Sequence, residues 1–421
     1  RFWAAQRDGA DMASHFASLY RTAFIMTALF LPLAGLVVWF WPMPDSFRLP
    51  IGVALLGIPV RCLTKLAQER YRAAGEVRKA ASLDIWNTLA GFGVGAAIAL
   101  SGGGASSPLA GLLIAPLFAL PFILPGELRE ARSGVVDRER LKSYAVYGYP
   151  IAASLGLALV LASTDRFLLA LFMDEAAVGA YHAGYSIANR TLDVLFIWLG
   201  TAGAPALVMA LERGGREQLQ AAAREQASTL ILIGLPAAVG VALVARPLSE
   251  FMIGEDLRHA ATLVTPWIAL SSLLAGMTVY YFHQAFTLGR RTGWLLAAMS
   301  VPAISNVILN IVLIPSFGVL GAAWATAASF AVGLIASWAM GRRILPLPTP
   351  WTTLGQCALC CGVMALAVWF LPPIGGFLEL MLDASVGAAV YGVCAFALNA
   401  GGVRELAQRL LRAIQARRAT A

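Results

Sequence analysis

Between residues 177 and 200 an otherwise apolar stretch carries His182, Ser186, Asn189, Arg190 and Asp193. Spacings of four, three and four place His182, Ser186, Asn189 and Asp193 on one helical face, with Arg190 at its edge. A charged side chain at mid-bilayer costs about 2.5–3.5 kcal/mol on insertion scales, so such residues are paired or functional. Two chemistries fit this set. One is a polar stripe lining a cavity, where the Arg190 guanidinium meets a pyrophosphate or an acidic sugar; an arginine fork suits phosphate. The other is an internal Arg190–Asp193 ion pair that locks the helix to a neighbour.

Other polar residues raise the same choice. Arg61 and Lys65, four apart, either draw an anionic headgroup into an inner cavity or snorkel to the surface. Asp165 and Arg166 are consecutive, so they point about 100° apart and each must look to another helix or to water. They sit beside the acidic turn Asp174-Glu175 and serve either as a gate contact to a first lobe or as an interfacial anchor. Asn306 and Asn310 have the spacing to hydrogen-bond across helices. His283 and Gln284 close an apolar stretch without suggesting a metal site. The five cysteines (Cys62, Cys357, Cys360, Cys361 and Cys394) all lie in apolar segments. "CALCC" has no His or fourth Cys in a nearby loop, so small buried thiols are expected, with no metal and no disulfide framework.

Composition dictates the elements that must hold these groups. Of 421 residues, 59% are hydrophobic and only 13% charged, with a mean hydropathy of +0.73; soluble domains carry roughly 25% charged residues. The apolar residues fall in continuous runs long enough to cross a hydrocarbon core of about 30 Å. The expectation is an all-α, polytopic inner-membrane helical bundle; continuous rather than alternating runs exclude a β-barrel. About twelve spans are predicted, near 20–42, 49–71, 82–101, 107–126, 143–172, 177–200, 228–248, 257–286, 293–314, 317–341, 352–372 and 380–400. The net charge of +8 does not indicate a nucleic-acid partner, because the basic residues track the loops. Of 31 Lys and Arg, 26 fall on one set of alternate loops and only Arg48, Arg166, Arg246 and Arg258 on the other. This asymmetry predicts that both ends face the cytoplasm. No loop has room for a soluble catalytic domain, and there is no P-loop and no Asp-x-Asp, which weighs against ATPases and membrane glycosyltransferases.

An internal repeat organises the spans. The basic connectors 68–91 and 282–305 each enter a long apolar helix, and Gly75 registers with Gly289. Spans one to four then match spans seven to ten. The expectation is a six-plus-six repeat of like orientation, without its first two helices and with two helices added at the end. The predicted divisions are a four-helix first lobe (1–142), a six-helix second lobe (143–344), and two additional helices with a basic cytoplasmic tail (345–421). The chain opens on Arg1 with no visible signal peptide, as expected of a start inside a longer protein.

Against this frame, "YGYPIAASLGLALVLASTDRFLLALFMDEAAVGAYHAGYSIANR" (147–190) resembles the start of the second lobe in the polysaccharide transport family. That family contains the O-antigen and lipid-linked oligosaccharide flippases of the multidrug/oligosaccharidyl-lipid/polysaccharide superfamily. The matching features are Gly148-x-Pro150, Asp165-Arg166 and Val178-Gly179-x-Tyr181; Ala183 and Tyr185 match a family motif only with shifted spacing. "PSFGVLGAAWATAAS" (315–329) resembles the family's turn into its twelfth helix, where Gly318 and Gly321-Ala322-Ala323 permit close packing. The resemblance implies a transporter of the bacterial inner membrane that flips an undecaprenyl-linked glycan by alternating access, as in lipopolysaccharide biosynthesis. Its partners would be membrane lipids and the polysaccharide polymerase or export machinery. No bond-making catalysis and no cofactor are expected, with H+ or Na+ as the candidate coupling ion.

The substrate set is then Arg190, Asn189, Asp193, His182, Arg61 and Lys65, with Asp165 and Arg166 as gate or lobe contacts. An ion-coupled multidrug or cation exporter on the same fold is the alternative. It would need an acidic cavity, whereas this polar set is mixed and mildly cationic. A membrane-embedded glycan polymerase or ligase is disfavoured by the lack of a long outer loop.

Overall fold

The structure, a computed structural model, describes residues 9–42, 44–74 and 76–405. Gly75, the first marker of the repeat, and the basic stretch after Glu405 lie outside the described residues. The described chain is helical: α1 (Gly9–Phe40), α2 (Asp45–Ala73), α3 (Val77–Leu100), α4 (Ser107–Arg132), α5 (Arg138–Phe172), α6 (Glu175–Leu243), α7 (Ala245–Met252), α8 (Glu255–Met277), α9 (Gln284–Leu288), α10 (Thr292–Arg342), α11 (Trp351–Trp369) and α12 (Gly376–Ala397). A π-helical turn, Thr278–Phe282, joins α8 to α9. Ten of these stretches are long and apolar enough to cross a membrane, the multi-pass helical bundle that composition predicts.

Two of the ten are hairpins. In a straight helix Leu313 and Gly321 would lie about 12 Å apart along the axis, yet a Cβ on Gly321 would collide with the Leu313 carbonyl oxygen. Likewise a Cβ on Gly203 would strike the Gln226 side chain, 23 residues on. The helices therefore double back, α6 at Gly215 (φ 63°, ψ −153°) and α10 at Gly318 (φ 55°, ψ −133°), in a backbone region nearly confined to glycine. The ten stretches thus resolve into the twelve predicted segments. One expectation is corrected: residues 201–227, read as a loop, are helical apart from Gly215. Their Ala, Leu, Glu, Gln and Arg are strong helix formers, so both limbs extend beyond their apolar cores.

The chain forms two compact units, one ending at Val146 and the other beginning at Tyr147. In the first, α3 lies close on α4, because Gly91 and Gly111 leave no room for side chains between the backbones. Glu127, 1% exposed on α4, is held by Arg70 of α2 and accepts a 2.9 Å hydrogen bond from the Tyr20 hydroxyl of α1. In the second, Phe196 of α6 packs into the spaces left by Gly234 and Gly276, tying both α6 limbs to α8. The π turn places the Tyr281 hydroxyl on the Pro348 carbonyl and His283 Nε2 3.3 Å from Ser337 Oγ.

The amphipathic α7 clasps α12. Glu250 Oε2 accepts from the Gly376 amide and Oε1 from Arg246 Nε, both at 2.9 Å. First the amide and then the guanidinium hold this carboxyl below the usual carboxylate range. A depressed pKa stabilises the fold above the unfolded value, and the benefit fades as pH falls through the folded one. Glu250→Gln is accordingly expected to lower the melting temperature of the purified protein at neutral pH and to match wild type below the carboxylate range. A gap of constant size across that range would contradict the clasp. Gly318→Ala is expected to cost about 1–3 kcal/mol of strain and to lower the melting temperature. Gly240→Ala, at a site with open space around the glycine, serves as the neutral control.

Candidate functional site

In the second unit the Asp165-Arg166 pair splits between two surroundings, as its 100° divergence requires. Asp165 is fully buried. One carboxylate oxygen accepts from the Arg166 amide at 2.9 Å, and the other from the Tyr181 hydroxyl of α6, which also lies 3.2 Å from Thr326 Oγ1 of α10. Three helices are therefore joined through the Tyr181 hydroxyl, which bridges the Asp165 carboxylate of α5 and Thr326 of α10. Arg166 is half-buried and turned the other way. Its Nε donates to His182 Nδ1 at 3.2 Å, its guanidinium reaches the Ala162 carbonyl, and it lies 4.5 Å over the Tyr185 ring. Asp174, in the acidic turn beside the pair, caps α6 by accepting from the Ala177 amide at 2.7 Å.

The polar stripe of α6 follows directly. His182 is exposed and shared by Arg166 and Ser186, whose Oγ is 3.2 Å from Nε2. Asn189 accepts a 3.2 Å hydrogen bond from Ser272 of α8. Arg190 and Asp193 are both exposed, and neither has an ion-pair partner among the described residues. The Arg190–Asp193 pair that the spacing allows is not formed. The same stripe thus holds three hydrogen-bonded groups, His182, Ser186 and Asn189, and two charges with no ion-pair partner among the described residues.

Arg61 and Lys65 occupy the first unit, on a cavity of about 750 Å³ framed by α2, α3 and α4. Arg61 is exposed and has no ion-pair partner among the described residues. Lys65 donates to Gln68 Oε1 at 2.9 Å and lies 3.4 Å from Glu69, an exposed pair of little energetic weight. Opposite them α3 presents Asp84, Asn87 and Thr88, then Gly91 and Gly95. Ile58, Phe92 and Leu112 add apolar wall. The cavity is therefore amphipathic, with cations on one side and hydrocarbon beside them. Cys62 also lines it and is exposed, correcting the expectation that all five thiols are buried; Cys357, Cys360 and Cys361 are buried and Cys394 is half-buried.

Asn306 and Asn310 are fully buried but do not bridge helices as their spacing suggested. Asn310 Nδ2 bonds back to the Asn306 carbonyl at 2.9 Å, and the Asn306 amide group and Asn310 Oδ1 have no partner among the described residues. Among the described residues no group of three or more His, Cys, Asp or Glu has the arrangement to hold a metal ion.

A family model described as "Polysaccharide biosynthesis protein" matches residues 4–262, more than half of the chain. The chain belongs to this polysaccharide biosynthesis family. Two relatives from Haloferax volcanii carry flippase names. The "Probable flippase AglR" is 27% identical over 259 residues, covering 59% of this chain and 52% of that protein. The "Probable low-salt glycan biosynthesis flippase Agl15" is 23% identical over 231 residues, covering 54% and 48%. The chain spans about half the length of these curated relatives. Among solved structures, "Lipid II flippase MurJ, inward closed conformation" superposes with a TM-score of 0.76 at 12% identity, over 96% of this chain and 87% of that one. That likeness establishes a shared fold, so this member of the polysaccharide biosynthesis family is a multi-pass helical membrane protein built like a known transporter.

Several site residues were not singled out from the sequence. Tyr181 was read only as part of a motif, and Thr326 and Ser272 carried no signal of their own. Asp84, Asn87 and Thr88 could have been found, since their spacing with Gly91 and Gly95 marks one face of α3. Asp165→Ala removes the charged acceptor of the buried Tyr181 hydroxyl and leaves it only Thr326 Oγ1 as a partner, at an expected cost of about 1–3 kcal/mol. A double-mutant cycle of Asp165→Ala with Tyr181→Phe, read by thermal melting, is expected to show coupling of at least 0.5 kcal/mol, roughly the lower bound for residues in contact. Strict additivity would remove the anchor.

Proposed function

We propose that this protein flips or exports a lipid-linked glycan precursor across the membrane by alternating access. The observation that carries the reading is the cavity of the first unit, where unpaired Arg61 and exposed Lys65 lie beside apolar wall within membrane-crossing helices. A lipid-linked sugar needs that combination: its phosphate is anionic and its carrier is hydrocarbon. Arg190, which also forms no ion pair among the described residues, supplies a second anion contact in the second unit, with Asn189, Asp193 and His182 around it as hydrogen-bonding groups for sugar hydroxyls. The names of the two archaeal relatives support the same class of substrate.

The carrier is undecaprenyl in a bacterial inner membrane, both ends of the chain lie in the cytoplasm, and the two lobes and added helices divide near 142 and 344. An H+ or Na+ gradient drives the cycle, and the polymerase or export machinery takes the product. Arg166 and Asp165 contribute to the outer closure through their grip on α6.

Arg190→Ala and Arg61→Ala are each expected to reduce surface glycan by roughly tenfold or more and to accumulate lipid-linked precursor, since a hydrogen bond to a charged group contributes about 1.5–3 kcal/mol. Lysine at either position restores part of the activity. Normal surface glycan in both alanine variants, at normal expression, would remove the anion-contact role. A change in drug susceptibility without precursor accumulation would point to the multidrug-exporter alternative.

A further inference from the structure

At one end of the second unit four arginines gather. Gly289 packs against the Ile344 side chain, so the turn bearing Arg290 and Arg291 adjoins the end of α10 that bears Arg342 and Arg343. All four are exposed, and none forms an ion pair among the described residues. Arg290 has φ 55°, a left-handed conformation that glycine or asparagine adopts more cheaply than arginine. Arg342 is the best placed of the four: its guanidinium lies 4.9 Å over the Trp338 ring.

Trp338 is also a wall of a groove of about 340 Å³ between α6, α8, α10 and α11. Leu235, Leu274, Met277, Ile335 and Leu354 line it, and Thr349 is its one hydroxyl-bearing residue. A cavity this apolar does not hold water, which needs two to four polar partners. In a membrane, hydrocarbon chains are the solvent at hand. The groove and the arginines share Trp338, so one molecule with an apolar chain and an anionic head satisfies both. A zwitterionic head would leave the four cations uncompensated, whereas basic pockets between membrane helices bind anionic heads, and the planar fork of arginine suits phosphate oxygens.

We propose that this groove is a binding site for an anionic glycerophospholipid, one acyl chain lying along Trp338 and Ile335 and its phosphate held by Arg342 and Arg343, with Arg290 and Arg291 on the adjoining turn. The site shares no residue with the glycan contacts proposed above, and its test needs no transport assay.

The test is native mass spectrometry of the purified full chain titrated with phosphatidylglycerol or phosphatidylcholine. Wild type is expected to bind phosphatidylglycerol at least tenfold more tightly. The double variant Arg342→Ala/Arg343→Ala is expected to lose that preference by roughly tenfold or more, since each basic residue near a membrane surface contributes about fivefold. Arg342→Lys/Arg343→Lys is expected to keep most of it. Ile335→Trp, at an exposed position that need not disturb the core, is expected to weaken binding of both lipids by filling the groove. Equal binding of the two lipids by wild type, an undiminished preference in the double alanine variant, or indifference to Ile335→Trp would each overturn the proposal. So would displacement of phosphatidylglycerol by lower concentrations of a polyprenyl phosphate, which would make the groove part of the substrate path.

Discussion

In hydrocarbon, every backbone amide and carbonyl must find its partner inside the protein. That constraint governs this structure more than any single contact. It makes each crossing a helix and pushes changes of direction into the fewest residues. The hairpins of α6 and α10 carry it furthest, turning about one glycine each, at Gly215 and Gly318. Because the turns are so tight, the limbs begin to pack at once, and residues such as Gly321, Gly203 and Gly333 must then be small. Close approach and short turns are two results of one requirement.

The same requirement sorts the polar side chains. Three partnered sets hold helices together: Asp165 with Tyr181 and Thr326, Glu127 with Arg70 and Tyr20, Asn189 with Ser272. Each joins elements far apart in sequence. The charges Arg61, Arg190 and Asp193, which form no ion pair among the described residues, are exposed. That contrast gives the functional reading its two guanidinium contacts, Arg61 and Arg190. It also separates Asp165, whose carboxylate is engaged within its own unit, from Arg190 a helix later, which forms no ion pair among the described residues.

The spans could be read from sequence because hydropathy is imposed by the solvent and needs no knowledge of neighbours. The face of α6 could be read because 3.6-residue periodicity is local. The partners could not. Tyr181 and Thr326 are 145 residues apart, and nothing in either stretch announces the other. Spacing also over-promised: residues three apart can pair, yet Arg190 and Asp193 do not, and Asn306 and Asn310 sit together without reaching another helix. Cys62 was misplaced for a related reason. It lies in a membrane-crossing helix, but α2 faces a cavity at that point, and only the packing of α2 with α3 and α4 reveals it. The stretch 201–227 was misjudged because polarity ends a membrane crossing without ending a helix.

The π turn at Thr278–Phe282 has a further consequence. One extra residue in a turn rotates everything after it by about 100°. Upstream and downstream portions of this crossing therefore keep separate angular registers. The side chains of α8 that meet α6 and those of α9 that meet Gly341 answer to different phases of the same continuous chain. The crossing works as two screws on one shaft, so the surface near its start can be recut by substitution while the surface near its end keeps its aim.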